Sequence, residues 1–311
     1  MRLVATGGLG YVGARVLRAD WPGDSQRVII DDRSVWVPPS DDPWPAGTQV
    51  VDADICADDL PSRLRPGDTV LHLAAITGAD AAASPRLTRV NVDGTTRVAR
   101  ASAAAGARLL FLSSTSVYER CEGAVEEATD LAACPPTSPY ARSKADAERA
   151  ILEVASTAPL RFAILRCGTM YGPSPALRTH TAINKFCWQR ASGQPLSVWR
   201  TALSQRRPYL DLEDALEAIR VVCGEDLFDG HLFNVVTQTL SVSDVIDVMR
   251  SVSGRCDVEW LDAPSATTSS QEVSAARLGR LGWQARENLS GAIQATLDRM
   301  ASVLHPRRSH V

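Results

Sequence analysis

Along the first two thirds of the chain, short runs of aliphatic and β-branched residues alternate with longer stretches whose apolar positions recur at helical spacing. The runs predict strands over residues 2–5, 27–30, 48–51, 69–73, 108–112 and 161–165. The stretches between them predict helices over residues 11–20, 57–64, 85–105 and 138–155. Such a series implies an α/β fold, a doubly wound parallel sheet with helices on both faces. Past Gly172 the alternation loosens into helices over 182–191, 213–223, 241–253 and 289–300 and a strand over 231–235. The expected division is residues 1–170 for the sheet domain, with 205–236 packing back on it, and 171–311 for a smaller C-terminal lobe. Residues 32–47, with four prolines and two tryptophans, read as an irregular loop, and 262–271 as a mobile one. Ser241 and Asp244 carry the spacing of a helix cap.

Composition narrows the class. The 311 residues are 45% hydrophobic and 22% charged, a balance that excludes disordered, collagenous and coiled-coil chains. A formal charge of −3 leaves no electrostatic footprint for nucleic acid or an anionic membrane, and only residues 305–310 are locally basic. No apolar run approaches the roughly 18 residues that span a bilayer, so a cytoplasmic location is expected. The seven cysteines are scattered without a Cys-x-x-Cys or Cys/His cluster; reduced thiols and no metal site are expected. Of 33 basic residues only Lys144 and Lys185 are lysines. Arginine replaces lysine in most ion pairs but not where a compact ammonium is needed, which singles out these two positions.

Candidate chemistry begins directly after the first strand, where Thr6-Gly7-Gly8-Leu9-Gly10-Tyr11-Val12-Gly13 opens an amphipathic helix. A dinucleotide needs a tight strand-to-helix turn, close backbone approach to its pyrophosphate, and the free N–H groups of a helix start. The glycines fit two spacings, 8-10-13 or 7-10-13, and spacing alone does not choose. The second strand ends in Asp31-Asp32, 21 residues after Gly10, where a carboxylate grips the adenosine ribose and repels a 2′-phosphate. That pattern favours NAD, although Arg33 is close enough to answer a phosphate.

A second cluster follows the fifth strand, Ser113-Ser114-Thr115-Ser116-Val117-Tyr118, and a third opens the next helix, Tyr140-Ala141-Arg142-Ser143-Lys144. Tyrosine and lysine four apart share a helical face. An adjacent cation lowers a phenol's pKa toward the range where it acts as a base. Five tyrosines and two lysines in this length give only on the order of 0.03 such pairs by chance. Lys185, with no evident partner, reads as a surface residue.

With these residues in place the chain resembles an extended short-chain dehydrogenase/reductase of the NAD-dependent epimerase/dehydratase family, Rossmann proteins that act mainly on nucleotide sugars. Further matching pieces are Asp52-Ala53-Asp54-Ile55, His72-Leu73-Ala74-Ala75, Asn91-Val92-Asp93-Gly94-Thr95 and Met170-Tyr171-Gly172-Pro173. The resemblance selects Gly7, Gly10 and Gly13, with Tyr11 and Val12 in the turn, as the cofactor motif. It places Asp31 and Asp32 at the ribose, Asp54 and Ile55 at the adenine, and Leu73, Ala74, Ala75 and Asn91 along the cofactor. It assigns Ser114, with Thr115 next in line, Tyr140 and Lys144 to catalysis, and Thr77, Thr169, Asn184 and Arg207 to the substrate, with Arg207 at its diphosphate. It also implies a homodimer through helices 85–105 and 138–155.

Departures from the family narrow the reaction. Family dehydratases and decarboxylases carry extra acids after the catalytic hydroxyl, where this chain has Thr115 and Ser116. Thr169 replaces a common asparagine, Asp211 a histidine or aromatic, and Glu119 the usual glycine. The Arg-x-Gly-Glu/Asp stretch near the C-terminus is absent, its region occupied by residues 265–271. The expected activity is NAD-dependent epimerisation of a nucleotide-activated sugar through a transient keto-sugar. The alternatives are a ketoreductase or dehydrogenase using the same triad, and a non-catalytic dinucleotide sensor.

Overall fold

The protein is described here by a computed structural model covering residues 1–22, 25–34, 43–77, 84–262 and 270–305. In chain order its first half runs β1 (Arg2–Thr6), α1 (Tyr11–Val16), β2 (Gln26–Asp31), β3 (Gln49–Asp52), β4 (Thr69–His72), α2 (Thr95–Ala105), β5 (Arg108–Ser114), β6 (Ala124–Val125) and α3 (Pro139–Thr157). The second half runs β7 (Arg161–Cys167), β8 (Thr169–Tyr171), α4 (Ala182–Ala191), β9 (Leu196–Trp199), β10 (Arg206–Asp211), α5 (Leu212–Gly224), β11 (Asp229–Val235), β12 (Gln238–Ser241), α6 (Val242–Ser253), β13 (Val258–Leu261), β14 (Glu272–Val273), α7 (Ala276–Gly279) and α8 (Leu289–Leu304).

Seven strands pair in parallel in the order β11-β7-β5-β4-β1-β2-β3. Successive residues of β1 serve opposite faces: Leu3 and Ala5 join a core with Ile29, Leu71, Leu110 and Ile219 of α5, while Val4 joins Val28, Val70, Leu109, Val98 of α2 and Ile151 of α3. Because both faces are covered, a continuous apolar run rather than an alternating one is the signature of these strands. The chain leaves β1 outward to β2 and β3, then returns to β4 on the other side. This reversal opens a crevice beyond the carboxyl ends of β1 and β4, where open α/β sheets bind ligands.

A separate core forms from α4, α6 and α8 with Tyr171 and Tyr209, and the small sheet β12-β10-β8 lies between it and the main sheet's end. Asp244 and Ser241 close the expected capping box on α6. Segment 206–235 adds β11 to the edge of the main sheet and packs α5 against its face.

Some expectations are corrected. The helix expected over 57–64 shrinks to one 3-10 turn, Pro61–Arg63. Asp54 and Asp58 accept the backbone N–H groups of Cys56 and Asp54, folding the residues just before it as side-chain-bonded turns, and Pro61 has no N–H for a helix to use. The helix expected over 85–105 starts with a π-helical turn, Arg89–Gly94, before α2. Strand β10 lacks a sequence signal because it opens on two arginines and a proline. Of the irregular loop 32–47, residues 35–42 lie outside the described ones, and Trp44 covers the Arg18 guanidinium at 3.5 Å. Residues 263–269 and 306–311, which hold most of the expected second loop and of the basic tail, also lie outside. The cysteines are not all reduced: Cys121 and Cys134 form a disulfide, and five remain as thiols. No helix of the described residues is long and apolar enough to cross a membrane.

Candidate active site

The glycine turn is built against β4. Gly7 has φ +67°, and a Cβ there would lie 2.6 Å from the Cα and N of Ala74. Gly13 packs so tightly under the turn that its Cβ would sit 2.5 Å from the Gly8 carbonyl. Only glycine permits this approach of turn, helix and neighbouring strand. Asp31 Oδ2 accepts from Leu9 N at 3.0 Å, and Oδ1 from Arg33 N at 2.8 Å. Burial pushes the Asp31 carboxyl up, against those two hydrogen bonds. Asp31 therefore braces the glycine turn itself, while Asp32 accepts from Arg86 at 3.2 Å.

Tyr11 reaches across the crevice to donate to the Gly172 carbonyl at 2.7 Å, and its own carbonyl accepts from Ser174 Oγ. Val12 packs on the core beneath. Asp54 caps its turn and pairs with Arg89 at 3.5 Å; Ile55 is buried beside it. Leu73 N donates to Thr6 O at 3.0 Å, so Leu73, Ala74, Ala75 and Thr77 continue β4 along the crevice. Asn91 clamps that segment: Oδ1 accepts from Ile76 N, and Nδ2 donates to Ile76 O and to Ser143 Oγ. Ser143 Oγ in turn donates to the Tyr140 carbonyl at 2.8 Å, tying the crevice to α3. His72 lies behind this segment. Thr95 Oγ1 donates to Asn91 O, so it accepts from His72 Nε2, and His72 Nδ1 accepts from Thr6 Oγ1. Burial, then the nearby Lys144, brings His72 down to about 3, a permanently neutral structural imidazole.

Ser138 caps α3, accepting from Ala141 N, and Pro139 follows at the first helical position, which sets Tyr140 at the start of the helix facing β5. Ser114 ends β5 beside the Tyr140 phenol, and its hydroxyl lowers that phenol's pKa. Thr115 is buried in the following 3-10 turn, Thr115–Tyr118, and among the described residues no hydrogen bond joins it to Tyr140. Lys144 is 4% exposed; its Nζ donates to Leu112 O at 2.8 Å and stands 4.6 Å from the Phe111 ring centroid. Burial lowers this lysine to about 8.

The electrostatics differ from the sequence expectation in one respect. Burial raises the Tyr140 phenol, and the groups opposing that rise are Arg178, then Ser114. Lys144 spends its ammonium on the Leu112 carbonyl and the Phe111 face. The positive field on the phenol thus comes from Arg178, which lies in the irregular segment between β8 and α4 and carries no sequence signal.

Of the expected substrate residues, Asn184 is fully buried and its Oδ1 accepts from Gly172 N at 3.2 Å. Thr169 pairs with Tyr209 across β8 and β10, and Arg207 stands two residues before Tyr209 with its guanidinium on Gln205. Glu119, the odd residue after Tyr118, receives Thr137 N, Ser138 N at 2.5 Å and Ser138 Oγ at 2.7 Å. It joins the serine segment to the cap of α3, in the loop that the disulfide also closes. No cluster of metal ligands occurs among the described residues.

The residues fit a dinucleotide: a glycine turn that a Cβ would block, a carboxylate at the end of β2, and a lysine and a tyrosine one turn apart on α3. Comparison with known proteins agrees. The profile of the NAD dependent epimerase/dehydratase family matches residues 3–235. A trifunctional UDP-glucose 4,6-dehydratase/UDP-4-keto-6-deoxy-D-glucose 3,5-epimerase/UDP-4-keto-L-rhamnose-reductase of Arabidopsis thaliana is 29% identical over 262 residues, covering 80% of this chain and 38% of its own length. The chain thus spans about two fifths of that relative. Among solved structures, UDP-glucuronic acid 4-epimerase from Bacillus cereus, in complex with UDP-glucuronic acid and NAD, superposes with TM-score 0.85 at 22% identity, covering 97% of this chain and 100% of its own. MoeE5 in complex with UDP-glucose and NAD superposes with TM-score 0.85 at 25% identity, covering 98% of this chain and 100% of its own.

Proposed function

Because this chain belongs to the NAD dependent epimerase/dehydratase family, we propose that it epimerises a nucleotide-activated sugar by transient oxidation to a keto-sugar and return of the hydride to the opposite face. The observation that carries this reading is the Tyr140 phenol, set beside Ser114 and on one helix with Lys144, next to the glycine-turn crevice. Bound NAD supplies the hydride acceptor and donor. Gly7, Gly10 and Gly13 admit its pyrophosphate, Asp31 meets the adenosine ribose, and Lys144 holds the second ribose. Tyr140 Oη takes the proton of the reacting hydroxyl and returns it, with Ser114 Oγ sharing the same oxygen. No further acid is required, which agrees with Thr115 and Ser116 standing where dehydratases carry acids. The solved likenesses bound to UDP-glucuronic acid or UDP-glucose with NAD support this substrate class.

In this reading residues 1–170, with 205–236, hold the cofactor, and 171–311 hold the sugar nucleotide through Thr169, Asn184 and Arg207, with Thr77 at the crevice. A homodimer belongs to it as well. Support comes from a groove of about 550 Å³ between α2 and α3, lined by Arg100, Ala104, Ala150 and Glu153. Leu152 on the same helix is 53% exposed. A cytoplasmic location is supported by the five thiols, with the Cys121–Cys134 bond standing against it.

The test is to incubate purified protein with a panel of UDP- and dTDP-hexoses and hexuronates without added nicotinamide. The expected result is interconversion of two epimers with no net change in reduced cofactor. In a parallel incubation supplied with NAD(P)H and the corresponding keto-sugars, stoichiometric consumption of the added cofactor would assign a ketoreductase instead.

A further inference from the structure

One turn beyond Lys144 on α3, Glu148 is buried against a neighbouring guanidinium. Arg166 on β7 grips both carboxylate oxygens, Nε at 3.0 and 3.2 Å and Nη2 at 2.6 Å. Ser113, the residue before Ser114, donates to Oε1 at 2.5 Å. Arg166 Nη1 donates to the Tyr118 hydroxyl at 2.6 Å, and that hydroxyl donates to Asn234 at 2.9 Å. Glu148 and Arg166 are 4% and 5% exposed. Removing two charges from water is costly, and well-packed apolar residues of equal volume usually do as well or better for stability. The pair therefore calls for a reason other than stability, and its place supplies one: it joins the helix of Tyr140 and Lys144 to β7 and, through Ser113, to the strand that ends in Ser114.

We propose that Glu148 and Arg166 are positioning residues of the catalytic set, fixing α3 against β5 and β7 and supplying, through Glu148, the negative charge that keeps Lys144 an ammonium. The charged and titratable groups around Lys144 are Tyr140 and Glu148 on its own helix, His72 on β4, Cys167 on β7, and Arg178 after β8. His72 is neutral. Burial pushes the Cys167 thiol up to about 12, so it too is neutral near pH 8, and Arg178 repels the ammonium. Glu148 is the remaining anion. Glu148 stands four residues after Lys144 on the same helical face of α3 and is hydrogen-bonded to Arg166 and Ser113.

The inference deepens the epimerase reading and rests on it for the role of Lys144, but its test does not need turnover. Only two lysines exist, so full-length protein labelled with ¹³Cε-lysine gives two resonances, assigned with Lys185→Arg. The pH midpoint of the Lys144 resonance is then measured in the parent and in Glu148→Gln and Arg166→Gln. The expected result is a midpoint lowered by about one pH unit in Glu148→Gln, a tenfold change in acid dissociation, and not lowered in Arg166→Gln. Should either single variant fail to fold, the double variant Glu148→Gln/Arg166→Gln removes both charges and is expected to show the lowered midpoint too. An unchanged midpoint in every variant lacking the carboxylate, or an equal fall in both single variants, overturns the proposal. A shifted midpoint in a protein inactive on every sugar of the panel would leave the positioning claim standing and remove the epimerase reading.

Discussion

Tyr140→Phe is expected to lower kcat by roughly 10²- to 10⁴-fold, the usual worth of a positioned proton-transfer group, with NAD content and thermal stability near those of the parent. The change removes one oxygen and keeps the ring, so the start of α3 retains its Ser138 cap and Pro139. Ser114 Oγ keeps Ser116 Oγ at 3.0 Å, and Lys144 keeps its Leu112 and Phe111 contacts. What is lost is the atom that, in the proposed function, exchanges a proton with the substrate hydroxyl. Initial rates on the panel substrate, read beside bound-nucleotide content and a melting curve, check this. Retained turnover would mean that another group does the acid–base work, with Ser114 the first to test.

Gly7→Ala is expected to cost roughly 3 kcal/mol and to abolish cofactor retention. Two terms add. A non-glycine residue at φ +67° pays about 1 kcal/mol or more for the left-handed backbone. Its Cβ also meets backbone atoms of Ala74 at 2.6 Å, an overlap no side-chain rotation relieves, for which overpacking costs of about 1–3 kcal/mol apply. Gly47→Ala is the control: its φ is +78° with nothing within 4 Å of the added carbon, so only the backbone cost applies there. Melting temperature and bound-NAD content of the two variants separate the steric term from the conformational one. Equal effects would show that the approach of the turn to β4 is not what the glycine serves.

The fold was readable in the chain where burial on both faces writes itself as a continuous apolar run, as in Leu3-Val4-Ala5 or Leu109-Leu110-Phe111-Leu112. It was not readable where side chains redirect the backbone. Residues 57–64 have helical periodicity, yet Pro61 falls among them and has no N–H for a helix to use. At the site, the glycine turn, Asp31 and the Tyr140/Lys144 pair were legible because each demands a residue type at a fixed spacing on one element. Glu148 had a signal of the same kind, the repeat 140-144-148 along one helical face. Arg178 had none, since an irregular segment brings it to the phenol from more than thirty positions away in the sequence. Cys121 and Cys134 meet only because the loop between Tyr118 and Ser138 folds back on itself, closed by Glu119 at its base.

The central claim is that the crevice oxidises one sugar carbon and reduces it again without letting that hydrogen out. Running the epimerisation in deuterium oxide and analysing the product by mass spectrometry and proton NMR tests it most directly. The account predicts an inverted carbon that still bears the protium it started with. Deuterium at that carbon would mean proton abstraction from carbon instead, and would contradict the roles given to Tyr140, Ser114 and Lys144.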